Sequence, residues 1–232
     1  MIRIRIDQIK PSLLDHNYIE RLGRVRKLQR IFSEIFAGGS NAFSKSKPAI
    51  LLDLGGGDSP YKRLAQGLPI KWISVDKKKC ASTDTVLDAQ ALPFKDNQFD
   101  AVICTQVFGI IPNLFVATEE IYRVLKPTGF AIFTEAAIYP SHPGGKWRIL
   151  PEGWKYLLSK FSVCEVDADC KTVASLFRVV NLYLAIILQK VPLVRELWRL
   201  TLCPAFNLIG HWANERFNDL GFAANYIVIA KK

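Results

Sequence analysis

Apolar and polar positions along the chain switch repeatedly between two periods. Residues 50–54, Ile-Leu-Leu-Asp-Leu, form a short apolar run containing an acid, followed by Gly55, Gly56 and Gly57 and then by an amphipathic stretch led by Pro60. This is the pattern of a buried strand turning sharply into a helix. Lys71–Asp76 reads as a second buried strand, again closing on an acid, and a later strand carries Cys104 before Gln106. Asn113 to Leu125 is expected to be a helix with Leu114, Ala117, Ile121, Val124 and Leu125 inward, stopped by Pro127 and Gly129. A fifth strand is expected over Phe130–Glu135, a helix from Pro151 through Lys160, a sixth strand over Ser162–Asp169 and a closing strand over Asn225–Ala230. Strands alternating with helices imply an α/β fold, a parallel sheet covered on both faces.

Two stretches fall outside that alternation. Met1 to Lys10 sets Ile2, Ile4 and Ile6 against Arg3 and Arg5, the period of a strand or of a docked arm. Tyr18 to Phe36 has helical spacing, with Ile19, Leu22, Val25, Leu28 and Ile31 on one side and basic residues from Arg21 to Arg30 on the other. That basic side is either a solvated face or a surface for phosphate groups. Gly38 to Lys47 is a polar joint. Leu176 to Trp212 is almost wholly apolar, interrupted by Arg178, Lys190, Arg195, Glu196 and Arg199, with Pro192 and Pro204 dividing it. Its uncharged runs fall short of the roughly 20 residues that span a bilayer, so two or three short helices are expected, either a buried cap or a layer resting in a membrane interface. The domain division that follows is 1–47, an arm and basic helix, and 48–232, one domain with 171–222 inserted as a helical cap.

Charge sharpens the choice of partners. The 232 residues carry a net charge of +10, which attracts polyanions, whether nucleic acid or an anionic membrane face. The five cysteines have no paired metal spacing and no leader pattern opens the chain, so a reduced cytoplasmic location and no metal are expected, with attachment at the inner face of the membrane as the extension of the charge argument.

The glycine loop is a candidate nucleotide-binding turn, or else a plain strand-to-helix turn. Asp53 and Asp58 bracket the glycines, Ser59 and Pro60 stand where the dinucleotide fingerprint wants its last glycine, and a pyrophosphate would be repelled there. S-adenosylmethionine, with an ammonium, a sulfonium and no phosphate, suits an acidic loop better. Asp76 stands about 20 residues beyond Gly55, the spacing at which a carboxylate accepts from ribose hydroxyls. Asp88-Ala-Gln-Ala-Leu-Pro-Phe94, Asp96 to Phe108 and Glu120 to Phe133 follow in order.

Together these motifs resemble the class I S-adenosylmethionine-dependent methyltransferases, most closely the type 11 family that includes ubiquinone and menaquinone biosynthesis enzymes. The resemblance covers about Pro48 to Phe161. It implies a Rossmann-like doubly wound, mostly parallel seven-stranded sheet with an antiparallel last strand and the helical cap inserted before it. It further implies that Asp53, Gly55, Gly56 and Gly57 hold the methionine end of the cofactor, Asp76 the ribose, Asp88 and the Ala89 backbone the adenine edge, and that Gln106 lines the site near the methyl group. Where the family commonly has Leu-Glu-His, this chain has Phe108, Gly109 and Ile110, so no role of that pair carries over.

Methyl transfer from a sulfonium is a displacement in which positioning supplies much of the barrier reduction, and a base is needed when the acceptor must lose a proton. His142, in the loop after the fifth strand, is the candidate base, with Glu135 in reserve and a turn role as the alternative for His142. Cys104 reads as a buried small hydrophobe, and the Asn-Pro-Pro-Tyr type of base-amine signature is absent. The function expected is O-methylation of a small or lipid-linked acceptor, such as a sugar in surface-polysaccharide assembly. Resemblance carries the sugar, through Arg148 standing before Pro151-Glu152-Gly153. Methylation of a quinone or other apolar metabolite is the alternative, and an RNA-binding or RNA-methylating protein or a non-catalytic interaction module are alternatives of other classes.

Overall fold

The computed structural model describes residues 9–37, 43–217 and 221–232. The alternation expected over Met1–Lys10 falls outside them except at its last two residues, as do residues 38–42 of the polar joint. The chain divides into two compact units, and they separate it differently from the expected boundary at residue 48.

The larger unit holds the described residues of Leu28–Ala136, His142–Asp167 and Tyr226–Lys232. Its sheet is built from β1 (Ala49–Leu54), β2 (Ile70–Asp76), β3 (Thr85–Val86), β4 (Phe99–Thr105), β5 (Leu125–Ala136), β6 (Val163–Ala168) and β7 (Asn225–Lys231), and has seven strands in the order β3-β2-β1-β4-β5-β7-β6. Pairing is parallel from β3 to β5. β7 runs against its neighbours, since Ser162 N donates to Lys231 O while Asp169 N donates to Asn225 O, and Lys232 N donates to Gly129 O while Ala137 N donates to Ala224 O. The sheet is therefore the mostly parallel one with an antiparallel last strand. Leu51, Leu52, Val102, Ile103, Ala131 and Ile132 are fully buried, as strands covered on both faces require.

Local deviations from the expected elements have local causes. The amphipathic stretch after the glycine loop is a 3-10 helix, Pro60–Ala65, because Ser59 enters in a left-handed conformation and the segment closes after six residues on an Arg63-to-Gln66 turn. α2 (Leu114–Val124) starts where Asn113 accepts from Val116 N and ends before Pro127. β5 begins at Leu125 rather than Phe130, with Pro127 tolerated because Lys126–Gly129 bulge out of register between Phe99 and Ala101. α3 (Pro151–Leu157) is shorter than expected, its last turn loosening at Leu158.

The smaller unit holds residues 9–27, Ala137–Ser141 and the described residues of Ala168–Asn225. α1 (Tyr18–Phe32) crosses the division at Lys27, and residues beyond it continue as a π-turn to Ala37. The expected insertion folds as α4 (Thr172–Ile187), α5 (Pro192–Leu200) and α6 (Leu202–Arg216). Pro192 opens α5, whereas Pro204 lies in the first turn of α6, where a missing N–H leaves no bond unmade. With its 3-10 extension, Thr172–Lys190 is 19 residues at a mean hydropathy of 1.6, long and apolar enough by those measures to cross a bilayer. That span contains Arg178 and Lys190, so its uncharged runs stay as short as the sequence implied. In the helix Arg178 leaves by the inner side and is buried.

That inner side is a buried ion cluster. Arg178 and Arg24 both pair with Glu20, and Arg24 stands 3.5 Å from Asp169. Burial raises the Glu20 carboxyl, but Arg178 and Arg24 outweigh it and hold the group below its ordinary value. Asp169 is pushed up to about 7, by burial and then by Glu20. Gly23 is required for this fit, since a Cβ there would lie 1.8 Å from Asp169 O. The basic side expected of α1 is thereby half consumed: Arg24 is in the cluster, Arg21 pairs with Asp15, Lys27 donates to Ala168 O, and Arg26 and Arg30 are exposed.

Replacing Arg178 by Met leaves the buried carboxylates short of charge compensation, and denaturant titration is expected to show a loss of about 3–5 kcal/mol. A loss below about 1 kcal/mol, the scale of a surface pair, would contradict the cluster's role.

Candidate functional site

The sheet order reverses between β1 and β4, and a crevice at such a switch point, beyond the carboxyl ends of the strands, is where open α/β sheets bind ligands. Gly55 leaves β1 there at φ 73°, and a Cβ on it would lie 2.5 Å from Val107 Cγ2, in the loop after β4. Gly55 N and Gly56 N both donate to Val75 O, which folds the loop over the end of β2. A Cβ on Gly56 would lie 2.3 Å from Asp53 Oδ2. The first two glycines thus serve the protein's own packing. Gly57 differs: φ is 53°, and Asp76 Oδ2 at 3.9 Å is the neighbour a Cβ would have. The space beside its Cα is open, while its N–H donates to Asp76 Oδ2 and its carbonyl accepts from Thr83 Oγ1.

The acids around this loop hold distinct positions. Asp53 is buried, and its Oδ2 accepts from Ser59 Oγ at 2.7 Å and Trp72 Nε1 at 3.1 Å. Burial pushes its carboxyl up to about 6; the two hydrogen bonds oppose this and nearby Asp76 adds to it. One oxygen is therefore engaged beneath the loop, which the sequence pattern did not reveal because Trp72 and Ser59 meet it only across β2 and the turn. Asp76 accepts from Gly57 N at 3.0 Å through Oδ2 and from Lys78 N at 2.9 Å through Oδ1. Each carboxylate oxygen has a further lone pair, so hydroxyl donors can still be received. Asp88 Oδ1 accepts from Gln90 N and Oδ2 from Lys77 Nζ at 2.9 Å, and the Gln90 backbone bond followed by Lys77 holds it below its ordinary value. Ala89 stands in that turn, which Gln90 ties to the start of α2 by accepting from Asn113 N.

Gln106 is exposed in a left-handed conformation, φ 58°, with its N–H donating to Thr134 O and Nε2 3.3 Å from Thr134 Oγ1. Such a conformation is unfavourable for glutamine and is held because β4 and β5 fix both ends. Glu135 is buried and accepts from Gly109 N at 2.8 Å, while Gly109 O receives Lys146 N and Trp147 N. Gly109, the position at which this chain departs from Leu-Glu-His, is the joint between the loops after β4 and β5. Its missing side chain leaves room for Glu135, whose Oε1 would lie 3.1 Å from a Cβ. Glu135 is thus a loop-holding carboxylate rather than an open one. His142 is exposed in a tight turn closed by Gly145 N donating to His142 O, with its Nδ1 3.2 Å from Pro143 O. Cys104 is buried, and burial followed by Glu135 and Asp53 drives its thiol well above its ordinary value, so it is no nucleophile.

The loop ends of β1, β2 and β4 bring together the glycine loop, Asp53, Asp76 and Gln106, and the Asp88 turn hangs from Lys77 just past β2. The set is rich in carboxylate acceptors, with open space beside the Gly57 Cα. It fits a cationic ligand carrying hydroxyls and disfavours a pyrophosphate.

Residues 67–133 match the family model described as a methyltransferase domain. The match includes Asp76, Asp88, Ala89 and Gln106 and leaves the glycine loop outside. Demethylmenaquinone methyltransferases of Staphylococcus aureus, strains JH9 and Newman, are 42% identical over 71 residues, 28% of this chain and 29% of theirs. The chain spans under a third of the length of these curated relatives. Among solved structures, a SAM-dependent methyltransferase from Archaeoglobus fulgidus superimposes with a TM-score of 0.56 at 17% identity, covering 97% of both chains. Phosphoethanolamine N-methyltransferase 2 of Haemonchus contortus, in complex with S-adenosyl-L-methionine, gives 0.54 at 16% identity over 95% of this chain and 56% of its own. The cyclase SpnF gives 0.56 at 20% identity over 90% and 81%. These solved structures share the Rossmann-like fold of this chain.

Asp53 supplies the test of this electrostatic description. A carboxyl at about 6 when folded against 3.8 ordinarily is more protonated folded than unfolded between those values, so its contribution to stability falls as pH rises through that window, by about 3 kcal/mol, and is constant above it. Asp53→Asn keeps an acceptor for Ser59 and Trp72 and removes the buried charge. The difference in unfolding free energy between variant and parent is expected to grow in the variant's favour from pH 4 to pH 6. A flat difference would mean that burial does not raise the Asp53 carboxyl, and one that grows in the parent's favour would place a stabilised charge there.

Proposed function

We propose that the chain is an S-adenosylmethionine-dependent methyltransferase of a small or lipid-linked acceptor. The observation that carries the reading is the open space beside the Gly57 Cα next to the Asp76 carboxylate at the end of β2, inside a fold whose residues 67–133 match a methyltransferase domain. S-adenosylmethionine supplies a methyl group on a sulfonium. Asp76 receives the ribose hydroxyls, Asp88 and the Ala89 backbone meet the adenine edge, and the Gly55–Gly57 loop with Asp53 holds the methionine end. Gln106, fixed in its strained conformation, lines the site near the methyl group.

When the acceptor is a hydroxyl, its proton goes to a base. His142 Nδ1 faces the Pro143 carbonyl, so the tautomer with a proton on Nδ1 leaves Nε2 as the basic nitrogen. Glu135 positions the loops through Gly109 and takes no proton in this reading. For the acceptor, an apolar quinone stands beside the lipid-linked sugar, supported by the 42% identity to demethylmenaquinone methyltransferases over a short segment. A second reading is chemistry other than methyl transfer on the same fold, favoured by the similarity to the cyclase SpnF.

Two measurements separate these readings. Asp76→Ala is expected to weaken S-adenosylmethionine by about 1.5–3 kcal/mol in equilibrium dialysis, the range for hydrogen bonds to a charged group; unchanged affinity would move the ribose site elsewhere. With methyl-labelled cofactor, label is expected in an acceptor, and His142→Ala is expected to lower turnover about 10²- to 10⁴-fold with cofactor affinity unchanged. Full turnover in that variant leaves His142 as a turn residue, and cofactor binding without label transfer to sugar-lipid or quinone acceptors favours the second reading.

A further inference from the structure

The helices of the smaller unit bury polar groups beside apolar ones and leave large apolar side chains exposed. The buried side of α4 carries Ser175, Arg178 and Asn181, and α6 buries Asn207. These groups find partners inside: Asn181 Nδ2 donates to Cys203 O and to Asn207 Oδ1, and Asn207 Nδ2 donates to Leu13 O and Asp15 O, while Asn181 Oδ1 accepts no hydrogen bond among the described residues. Leu182, Ala185 and Ala213 are buried, but many of the large apolar residues go outward. On α4, Leu176, Val180, Tyr183 and Ile187 are exposed at i, i+4, i+7 and i+11, one continuous stripe.

α5 too has an outward apolar stripe. Trp198 is buried, while Leu193, Leu197 and Leu200 are 86%, 64% and 58% exposed at i, i+4 and i+7. Beside that stripe Arg195 and Arg199 pair with Glu196, leaving a net positive flank. On α6, Leu208, Ile209 and Trp212 are exposed. Lys190 lies exposed in the joint between α4 and α5, and Arg216 at the end of α6. Outward apolar stripes on three consecutive helices exceed the scattered surface leucines of a monomer and mark an interaction surface.

We propose that the outward face of α4, α5 and α6 lies in the interfacial layer of an anionic bilayer, with Lys190, Arg195, Arg199 and Arg216 among the lipid phosphates. Charge complementarity selects this occupant. A second copy would bring a further +10 against the same face, whereas an anionic surface is attracted by it. Crossing the bilayer is opposed by Arg178, Ser175 and Asn181, which an α4 span would carry away from their buried partners. Lying in the interface keeps that polar side in the protein and puts Trp212 and Tyr183 where amphipathic rings are favoured. The inference is independent of methyl transfer.

The experiment is co-sedimentation of the full chain with vesicles of phosphatidylglycerol and phosphatidylcholine, and with phosphatidylcholine alone, at low and high salt. Partition onto the anionic vesicles is expected to exceed that onto neutral ones about tenfold or more at low salt, and salt is expected to narrow the gap. The combined variant Leu193→Ser, Leu197→Ser, Leu200→Ser changes exposed positions and is expected to cut partition about tenfold with an unchanged circular dichroism spectrum. Lys190→Glu keeps the apolar stripes and is expected to lower binding about fivefold or more on the anionic vesicles alone. No sedimentation in any condition, equal partition of the triple variant and the parent, or a concentration-dependent dimer in ultracentrifugation that the triple variant disperses would overturn the proposal.

Discussion

The close approach of Gly55 to Val107 is the contact on which the candidate site depends. It brings the loop leaving β1 against the loop leaving β4, across the place where the strand order reverses, and allows no side chain on the glycine. Everything around it is set from there. With Gly55 and Gly56 pressed onto Val107 and Asp53, Gly57 is the residue with open space beside its Cα, and Asp76 anchors it by accepting its N–H. The same packing fixes the start of the loop in which Gln106 is strained and Gly109 joins Glu135. A glycine loop is thus a packing device first, and its ligand-facing part is a single residue wide.

That division of labour explains what could be read from the sequence and what could not. Strand runs ending in acids, helix stops at proline and the Asp76 spacing are local signals, and they correspond to β1, β2, α2 and the sheet. Asp53 looked like a ligand-facing acid because its neighbours in sequence are glycines. Its partners Ser59 and Trp72 are contributed by the turn and by β2, so the burial that pushes it up to about 6 is a tertiary property. The basic side of α1 misled in the same way, since Arg24 is spent on Glu20 and Asp169, and Asp169 lies far along the chain. Helical spacing alone does not tell which face turns inward. On α4 many large apolar residues turn outward, and Arg178 broke an apolar run in sequence that the helix keeps continuous on its outer side.

Fold and chemistry are separable here. The Archaeoglobus fulgidus methyltransferase and the cyclase SpnF superimpose equally well, at a TM-score of 0.56, so the shape of the sheet carries no reaction with it. What narrows the choice is the charge of the strand ends. In the proposed reading, Asp76 beside the Gly57 turn suits ribose hydroxyls and a sulfonium better than a pyrophosphate, while Asp53 stays engaged beneath the loop.

Titration calorimetry of the full chain with S-adenosylmethionine and, separately, with NAD tests that claim most directly, since both ligands offer an adenosine and differ in carrying a sulfonium or a pyrophosphate. The account predicts saturable heat with S-adenosylmethionine and none with NAD at the same concentrations. Binding of NAD with no heat from S-adenosylmethionine would contradict it.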